Sequence, residues 1–223
     1  MSAVLPVTVI VIAKMPVPGQ VKTRLTPPLS PQQAAQLARA ALVDTLEVVM
    51  AAPVARRVLA LSNSEPGTTP PWVPADFEVI PQRDGGLDER LAGAFTDAYA
   101  GGLPMVLIGM DTPQVTASLL TDAAIPLVSG EADAVLGPAA DGGFWLLGLR
   151  SPNWSLLRGV PMSRADTGQA QLDRLQSAGL RVALMPELTD VDYARDALRV
   201  AADIPASRFS AVLAQTGLAA ASQ

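Results

Sequence analysis

The stretch VTVIVIAKMPVPGQVKTRL, residues 7–25, decides the fold that this sequence predicts. Its first seven residues are apolar apart from Thr8, which is typical of a central strand covered on both faces of a sheet. A turn rich in proline follows directly, and around Gly19 it carries three cations, Lys14, Lys22 and Arg24. A strand that runs into a cationic turn predicts a binding site for the phosphates of a nucleotide. A solvated basic loop is the alternative interpretation.

Lys14 and Lys22 are the two lysines of the chain, and every other basic side chain is an arginine. A lysine ammonium is a compact point charge, whereas an arginine guanidinium is a planar fork. Lysine at two neighbouring positions of one turn therefore favours phosphate binding over a basic loop without a ligand. We expect Lys22 to be an exposed cation at the rim of this turn.

The composition restricts the chemistry of any site. The chain of 223 residues has no cysteine and no histidine, so disulfides, thiolate ligands and imidazole ligands or bases are excluded. A metal would have to bind oxygen ligands, which favours Mg²⁺ or Mn²⁺. The length fits one domain, which we place at residues 1–215, followed by a frayed tail at 216–223.

The charge and the N-terminal sequence restrict the partners and the compartment. A net charge of −5 argues against nucleic acid or an anionic membrane as the main partner. The apolar N-terminal stretch is broken by Pro6 and Thr8 and has no basic region before it, so we expect neither a signal peptide nor a membrane span. A cytoplasmic enzyme with a small anionic ligand is the expectation.

Strand and helix patterns alternate along most of the chain, which predicts a three-layer α/β/α sandwich with a mainly parallel sheet. We expect strands at 7–13, 58–61, 77–80, 105–108, 133–137, 144–149 and 180–185. We expect helices at 31–52, 86–98, 117–128, 167–178 and 193–202, another after Pro205, and a surface loop at 64–74. Ligands of such sheets bind at the carboxyl ends of the strands, where the cationic turn would lie.

Two acidic segments are candidate metal ligands. Asp111 follows an apolar strand in GMDTP, residues 109–113, and Asp192 lies in TDVDYARDAL, residues 189–198. Carboxylates held on short turns at the rim of a sheet are suitable ligands for a hard cation. For each of them, capping of the helix that follows is the alternative.

Two glycine-containing segments are candidate ligand contacts. In GPAADGGFWLLGL, residues 137–149, Asp141 precedes two glycines and two aromatic residues, which would suit an acceptor pocket; a tight hairpin explains the same residues. In PQRDGGLDERL, residues 81–91, three residues could contact a base or ribose or simply form a turn, namely Gln82, Gly85 and Gly86.

These segments, in this order and over nearly the whole chain, resemble the nucleotide-diphospho-sugar transferase superfamily with the GT-A fold. The similarity is greatest to a bacterial glycosyltransferase-like group with AKxPxPGxVKTRL and GPxxDGG motifs. The KTRL and DVD segments are more distantly similar to 2-phospholactate guanylyltransferases and molybdenum-cofactor nucleotidyltransferases. Two departures are notable: a proline-containing turn replaces the glycine-rich loop of typical nucleotidyltransferases, and Asp111 is not part of a DxD motif.

The resemblance implies roles for individual residues. Lys14, Lys22 and Arg24 would neutralise nucleotide phosphates beside Gly19, and Asp111 and Asp192 would hold the divalent metal. Gln82 and the glycines Gly85 and Gly86 would face the base or ribose. Because no histidine is present, the base of a glycosyl transfer would be a carboxylate, and Asp141 is the candidate.

The predicted function is a metal-dependent transferase with a nucleotide donor and a small-molecule acceptor. We favour nucleotidyl transfer to a small phosphorylated acceptor, because three cations suit a triphosphate. Glycosyl transfer from a sugar nucleotide is the alternative, and a non-catalytic nucleotide-binding domain is the second alternative. Acceptor, base preference and oligomeric state are left open.

Overall fold

The computed structural model of the chain describes residues 3–63, 68–151 and 153–218. Its strands are β1 (Leu5–Lys14), β2 (Val54–Ser62), β3 (Glu78–Pro81), β4 (Met105–Gly109), β5 (Ala134–Pro138), β6 (Phe144–Leu149) and β7 (Val182–Leu184). Its helices are α1 (Pro31–Ala51), α2 (Leu87–Ala98), α3 (Ala117–Ser129), α4 (Thr167–Ser177), α5 (Ala194–Asp203) and α6 (Arg208–Gln215). Short 3₁₀ helices span Thr23–Leu25 and Trp154–Leu156.

The strands form one seven-stranded sheet in the order β3-β2-β1-β4-β6-β5-β7. Neighbouring strands are parallel except where β6 pairs antiparallel with β4 and β5. The central strand β1 alternates between the two faces: Val9 and Val11 pack in one core with α1 and α3, and Ile10 packs in another with α2 and α4. The predicted three-layer sandwich with a mainly parallel sheet is confirmed.

Helix α1 begins as the sequence predicts. The Ser30 hydroxyl accepts a hydrogen bond from the Gln33 amide at 3.2 Å, and the Gln33 side chain accepts one from the Ser30 amide at 2.9 Å. Pro31 occupies the first helical position. This capping box satisfies two amides that have no partner inside the helix.

Strand β2 is longer than the predicted strand at 58–61. Arg56 and Arg57, which precede the predicted strand, interrupt the apolar run of the sequence but still pair with β1. Arg57 pairs with Val9 of β1. Its guanidinium lies back over the end of α1, where it donates to the carbonyl oxygens of Val49 at 3.1 Å and Ala52 at 3.0 Å. Those carbonyls have no partner inside the helix, so the arginine replaces a missing cap.

Parts of two predictions concern residues outside the described ranges. Residues 64–67 of the predicted loop at 64–74 and residues 219–223 of the predicted frayed tail are not among the described residues. Leu218, at the start of that tail, is buried against the third core described below. Among the described helices, none has the length and apolar character needed to cross a membrane.

A third core packs the loop after β1 and the segment before α5 against the outer helices. It contains Leu25 from the 3₁₀ turn after the cationic loop and Val191 from the segment before α5, together with Leu37 of α1 and Phe209 of α6. All four side chains are almost fully buried. Apolar packing against α1 and α6 therefore fixes these two polar segments at the edge of the sheet.

Asp44 of α1 fixes the start of α6. Its carboxylate is 8% exposed, and it accepts hydrogen bonds from the amides of Arg208 at 3.3 Å and Phe209 at 2.8 Å. Because these amides begin a helix, a buried carboxylate is well suited to cap them. Glu47, one turn later, is exposed and pairs with the Arg208 guanidinium.

We expect Asp44→Ala to lower the free energy of unfolding by about 2–3 kcal/mol, because two amides and a guanidinium lose a buried charged acceptor. Glu47→Ala removes an exposed ion pair with the same arginine and should cost less than about 1 kcal/mol. Urea unfolding followed by circular dichroism measures both. Equal losses would show that the ion pair, and not the cap, holds α6.

Candidate active site

One cleft of about 880 Å³ lies at the carboxyl ends of β1 and β4. It is lined by most of the residues that the sequence singled out, namely Lys14, Lys22, Arg24, Gln82, Asp111, Asp141 and Asp192. Gly85 lines a smaller adjoining cavity of about 290 Å³. Gly19 and Gly86 are not among the lining residues of either cavity; Gly19 turns the cationic loop at φ 77°, and Gly86 precedes the first residue of α2.

Lys22 is buried, so the expectation of an exposed rim cation is wrong. Its side chain is only 7% exposed, and its ammonium contacts the Asp111 carboxylate and donates to the Val191 carbonyl oxygen. Its backbone is left-handed, with φ 48°, which is uncommon for a residue with a side chain. The contacts of the ammonium with Asp111 and Val191 hold the residue in this conformation.

Asp111 and the segment before α5 are also joined through their backbones. The Val191 amide donates to the Asp111 carbonyl oxygen at 2.9 Å. Gln114 adds a second link, because its side chain donates to the Thr189 carbonyl oxygen at 2.7 Å. The two acidic segments therefore form one rim of the cleft although they are far apart in sequence.

Arg24 approaches the second acidic segment. Its guanidinium pairs with the Asp192 carboxylate and lies 5.8 Å from the centre of the Tyr193 ring, a cation–π distance. Asp192 is 30% exposed, so this pair is reached by water. Each predicted metal ligand thus has a predicted phosphate-binding cation as its partner.

Neither predicted metal ligand serves as a helix cap. Helix α3 is capped by Thr116, whose hydroxyl accepts from the Leu119 amide at 3.2 Å. At the start of α5 the Tyr193 amide donates to the Asp196 carboxylate at 2.8 Å. The capping alternative is therefore wrong for both Asp111 and Asp192, and neither carboxylate is explained by local helix structure.

Asp190 is an acidic group in this cleft that the sequence analysis did not select. Burial, together with the nearby carboxylates of Asp111 and Asp141, raises the pKa of its carboxyl to about 7. The Lys22 ammonium opposes this effect. A buried carboxyl beside other carboxylates therefore favours its protonated form in this cleft.

The donor set of the cleft fits a hard divalent cation that is shared with a ligand. Within residues 3–63, 68–151 and 153–218, no three acidic side chains lie close enough to hold a metal by themselves. Asp111 and Asp192 both line the cleft, together with the carboxyl groups of Asp141 and Asp190. Proteins usually bind Mg²⁺ through one or two carboxylates, and water and the phosphate oxygens of a ligand complete the coordination.

Asp141 lies in the hairpin that joins β5 and β6, as the turn interpretation predicted. Its carboxylate accepts a hydrogen bond from the Gly143 amide at 2.8 Å. Gly142 has φ 89°, and a Cβ there would lie 2.0 Å from the Ala165 carbonyl oxygen. The Gly168 amide donates to the Gly142 carbonyl oxygen at 2.8 Å, so the glycines bring the hairpin against the start of α4. The same turn also directs Asp141 to the cleft.

Gln82 is held by the sheet. Its side-chain amide nitrogen donates to the carbonyl oxygens of Ala13 at 2.7 Å and Ala60 at 2.8 Å, at the ends of β1 and β2. Its carbonyl oxygen accepts from the Arg90 guanidinium at 3.4 Å. Arg90 lines both cavities, and the sequence analysis did not select it.

The sequence did contain a signal for Arg90. It lies between Leu87 and Leu91 and one helical turn before the buried Ala94, which places it at the border of the apolar face of α2. No comparable signal exists for Asp190, because its character depends on burial and on distant carboxylates.

We expect Lys22→Ala to lower the free energy of unfolding by about 1–3 kcal/mol, because it leaves a carbonyl oxygen and a half-exposed carboxylate without their cation. Lys14→Ala is the matched control, since Lys14 is exposed and has no ion-pair partner among the described residues. The control should change the free energy by less than about 0.5 kcal/mol. Chemical denaturation of the ligand-free protein measures both, and equal values would contradict the buried contact.

Comparison with solved structures places this architecture among nucleotide-diphospho-sugar transferase folds. A putative nucleotide-diphospho-sugar transferase from Desulfovibrio desulfuricans G20 is 28% identical, with 95% of each chain covered and a TM-score of 0.84. A Mycobacterium tuberculosis H37Rv protein in complex with manganese is 19% identical over 89% of this chain and 98% of its own, with a TM-score of 0.50. CMP:2-keto-3-deoxy-manno-octonic acid synthetase complexed with CTP is 13% identical over 89% and 98%, with a TM-score of 0.51.

The latter two similarities extend to the fold alone, given their low identities. No curated protein matches the chain. A family of bacterial proteins matches residues 45–164, more than half of the chain, and this range includes Asp111, Asp141 and the Gln82 segment. The chain therefore belongs to the family described as uncharacterized protein conserved in bacteria (DUF2064), and it has the GT-A type of nucleotide-diphospho-sugar transferase fold.

Proposed function

We propose that the protein is a divalent-metal-dependent transferase that uses a nucleotide donor. One observation carries this proposal: the cations Lys22 and Arg24 are paired with the carboxylates Asp111 and Asp192 in a single cleft. A nucleotide that arrives with a metal ion offers a new partner to both sides of each pair. The phosphates would take the cations, and the metal would take the carboxylates.

The metal would be held by Asp111 and Asp192, with Mg²⁺ or Mn²⁺ as the suitable ions. When bound, it would stabilise negative charge on the phosphates of the donor. Lys22 would contribute to the same stabilisation from a fixed position, because its backbone and its buried contacts restrict the side chain before any ligand binds. Arg24 is 56% exposed and would move more freely towards the ligand.

The turn after β1 offers few backbone donors to the phosphates. Pro16 and Pro18 have no amide hydrogen, and the amides of Val17 and Gln20 donate within the loop, to Met15 at 2.8 Å and Val17 at 3.0 Å. A phosphate site here would therefore depend on side chains. This agrees with the departure from a glycine-rich loop noted in the sequence.

We favour nucleotidyl transfer, in which a small phosphorylated acceptor attacks the α-phosphorus of a nucleoside triphosphate and pyrophosphate leaves. The number of cations on the phosphate side of the cleft supports it: Lys14, Lys22, Arg24 and Arg90 all line the cleft. Each additional phosphate gives these cations another charged acceptor. Arg195 and Arg199 of α5, which also line the cleft, would suit an anionic acceptor.

Glycosyl transfer from a sugar nucleotide is the second candidate. The name of the 28% identical structure supports it, and so does Asp141, a carboxylate that lines the cleft from the hairpin opposite the cationic turn. In this reaction the acceptor hydroxyl would attack the anomeric carbon, a nucleoside diphosphate would leave, and Asp141 would accept the hydroxyl proton.

We expect Asp111→Asn and Asp192→Asn each to remove most Mg²⁺-dependent nucleotide binding, by about tenfold or more in affinity, because either change breaks a two-carboxylate site. The double variant should lose little more, since the site is already broken. Thermal shift with ribonucleoside triphosphates, with and without Mg²⁺, measures the effect.

Asp122→Asn, on the exposed surface of α3, controls for the change in charge and should behave like the unsubstituted protein. Additive losses in the double variant would mean that the two carboxylates act on binding independently and do not share one ion.

The two candidate reactions predict different ligand preferences. For nucleotidyl transfer, calorimetry at equal Mg²⁺ should show tighter binding of a ribonucleoside triphosphate than of the matching diphospho-sugar. Incubation with a pool of small phosphorylated acids should then release pyrophosphate. A preference for the diphospho-sugar by tenfold, about 1.4 kcal/mol, together with release of nucleoside diphosphate, would replace nucleotidyl transfer by glycosyl transfer.

A further inference from the structure

The cations around the cleft and the adjoining cavity differ in whether a carboxylate pairs with them. Lys22, Arg24 and Arg83 are each paired with a carboxylate. Over the described ranges, Lys14 and Arg90 have no such partner, and both line the main cleft and the adjoining cavity. Unneutralised positive charge is therefore concentrated where the two cavities meet.

Arg90 is placed there at a cost in free energy. Its Nε is buried and has no hydrogen-bond partner among the described residues, and its one hydrogen bond, to Gln82, is long at 3.4 Å. A buried donor that lacks an acceptor is destabilising, and the penalty is larger for a charged group. A planar guanidinium with free donors is well matched to the oxygens of a phosphate, which can accept two parallel hydrogen bonds.

Gln82 explains how the guanidinium keeps its position. A glutamine amide has two N–H donors, and both are used by the carbonyl oxygens of Ala13 and Ala60. The side chain is thereby fixed to two strands of the sheet, and its remaining oxygen faces Arg90. Gln82 consequently has no N–H donor left for a base or ribose.

We propose that Lys14 and Arg90 form an oxyanion subsite that binds a phosphate group of the donor, and that Gln82 is the positioning residue for Arg90. The identity of the oxyanion as a nucleotide phosphate rests on the proposed function. The subsite differs from the Lys22 and Arg24 positions, whose cations are engaged with carboxylates until a ligand displaces them. An anion can bind to this subsite without first displacing a carboxylate.

The test uses inorganic pyrophosphate as the probe, because it presents phosphate oxygens without a base or sugar. Calorimetric titration of the full chain should give an affinity that falls about tenfold or more in Arg90→Gln. Arg90→Lys keeps the charge and loses the fork, so it should fall between the two. The dependence of the affinity on salt concentration should also become weaker in Arg90→Gln, because one fewer cation meets the anion.

Arg39→Gln is the matched control, since Arg39 is exposed on α1 and the net charge changes equally. Gln82→Leu should weaken pyrophosphate binding as well, and thermal unfolding of that variant shows whether it is folded. If it is not folded, the two Arg90 variants decide the matter. Pyrophosphate affinity that is equal in Arg90→Gln and Arg39→Gln, or no binding to the unsubstituted protein, would overturn the subsite.

A parallel titration with ribonucleoside triphosphates and Mg²⁺ separates this inference from the proposed function. Triphosphate binding that Arg90→Gln leaves unchanged would retain the nucleotide donor and reject the subsite. Pyrophosphate binding that depends on Arg90, without binding of any nucleotide, would retain the subsite and reject the nucleotide donor.

Discussion

The arrangement of the cleft depends on the buried ammonium of Lys22. It contacts the Asp111 carboxylate and the Val191 carbonyl oxygen, and so it joins the loop after β1, the end of β4 and the segment before α5. A charge that is 7% exposed must be paired, because an isolated buried ion is strongly destabilising. The folded chain can satisfy Lys22 only when these three segments meet, and their meeting brings the two acidic segments to one rim.

The pairing of cations with carboxylates also lowers the electrostatic repulsion within the ligand-free cleft. Without this pairing, the carboxylates around Asp190 would repel one another. Burial, followed by the charges of Asp111 and Asp141, raises the pKa of Asp190 to about 7. Under the proposed function a nucleotide and a metal ion would exchange partners with charges that are already present. Such an exchange requires little reorganisation of the backbone, which is fixed by the Val191 amide and by the third core.

The elements of the fold were predictable because their signals are local. The apolar run of β1, the capping box at Ser30 and the alternation of strands with helices each depend on a few neighbouring residues. The cleft was predictable in outline, since strand ends meet at one edge of the sheet. The burial of Lys22 was not, because its carbonyl partner Val191 lies 169 positions away. Asp190 was missed for the same reason, since its pKa depends on its burial in the folded chain and on Asp111 and Asp141.

The side chains that line the cleft differ in how firmly the fold holds them. Gln82 is bonded to two strands, and the Lys22 side chain is buried. Arg164, which also lines the cleft, pairs with Asp166 in an exposed ion pair, and exposed pairs impose little geometry. Fixed groups select ligands by shape and charge, whereas mobile groups accept several. Under the proposed function, the rigid groups would therefore select the donor, and the acceptor would meet side chains that can rearrange around it.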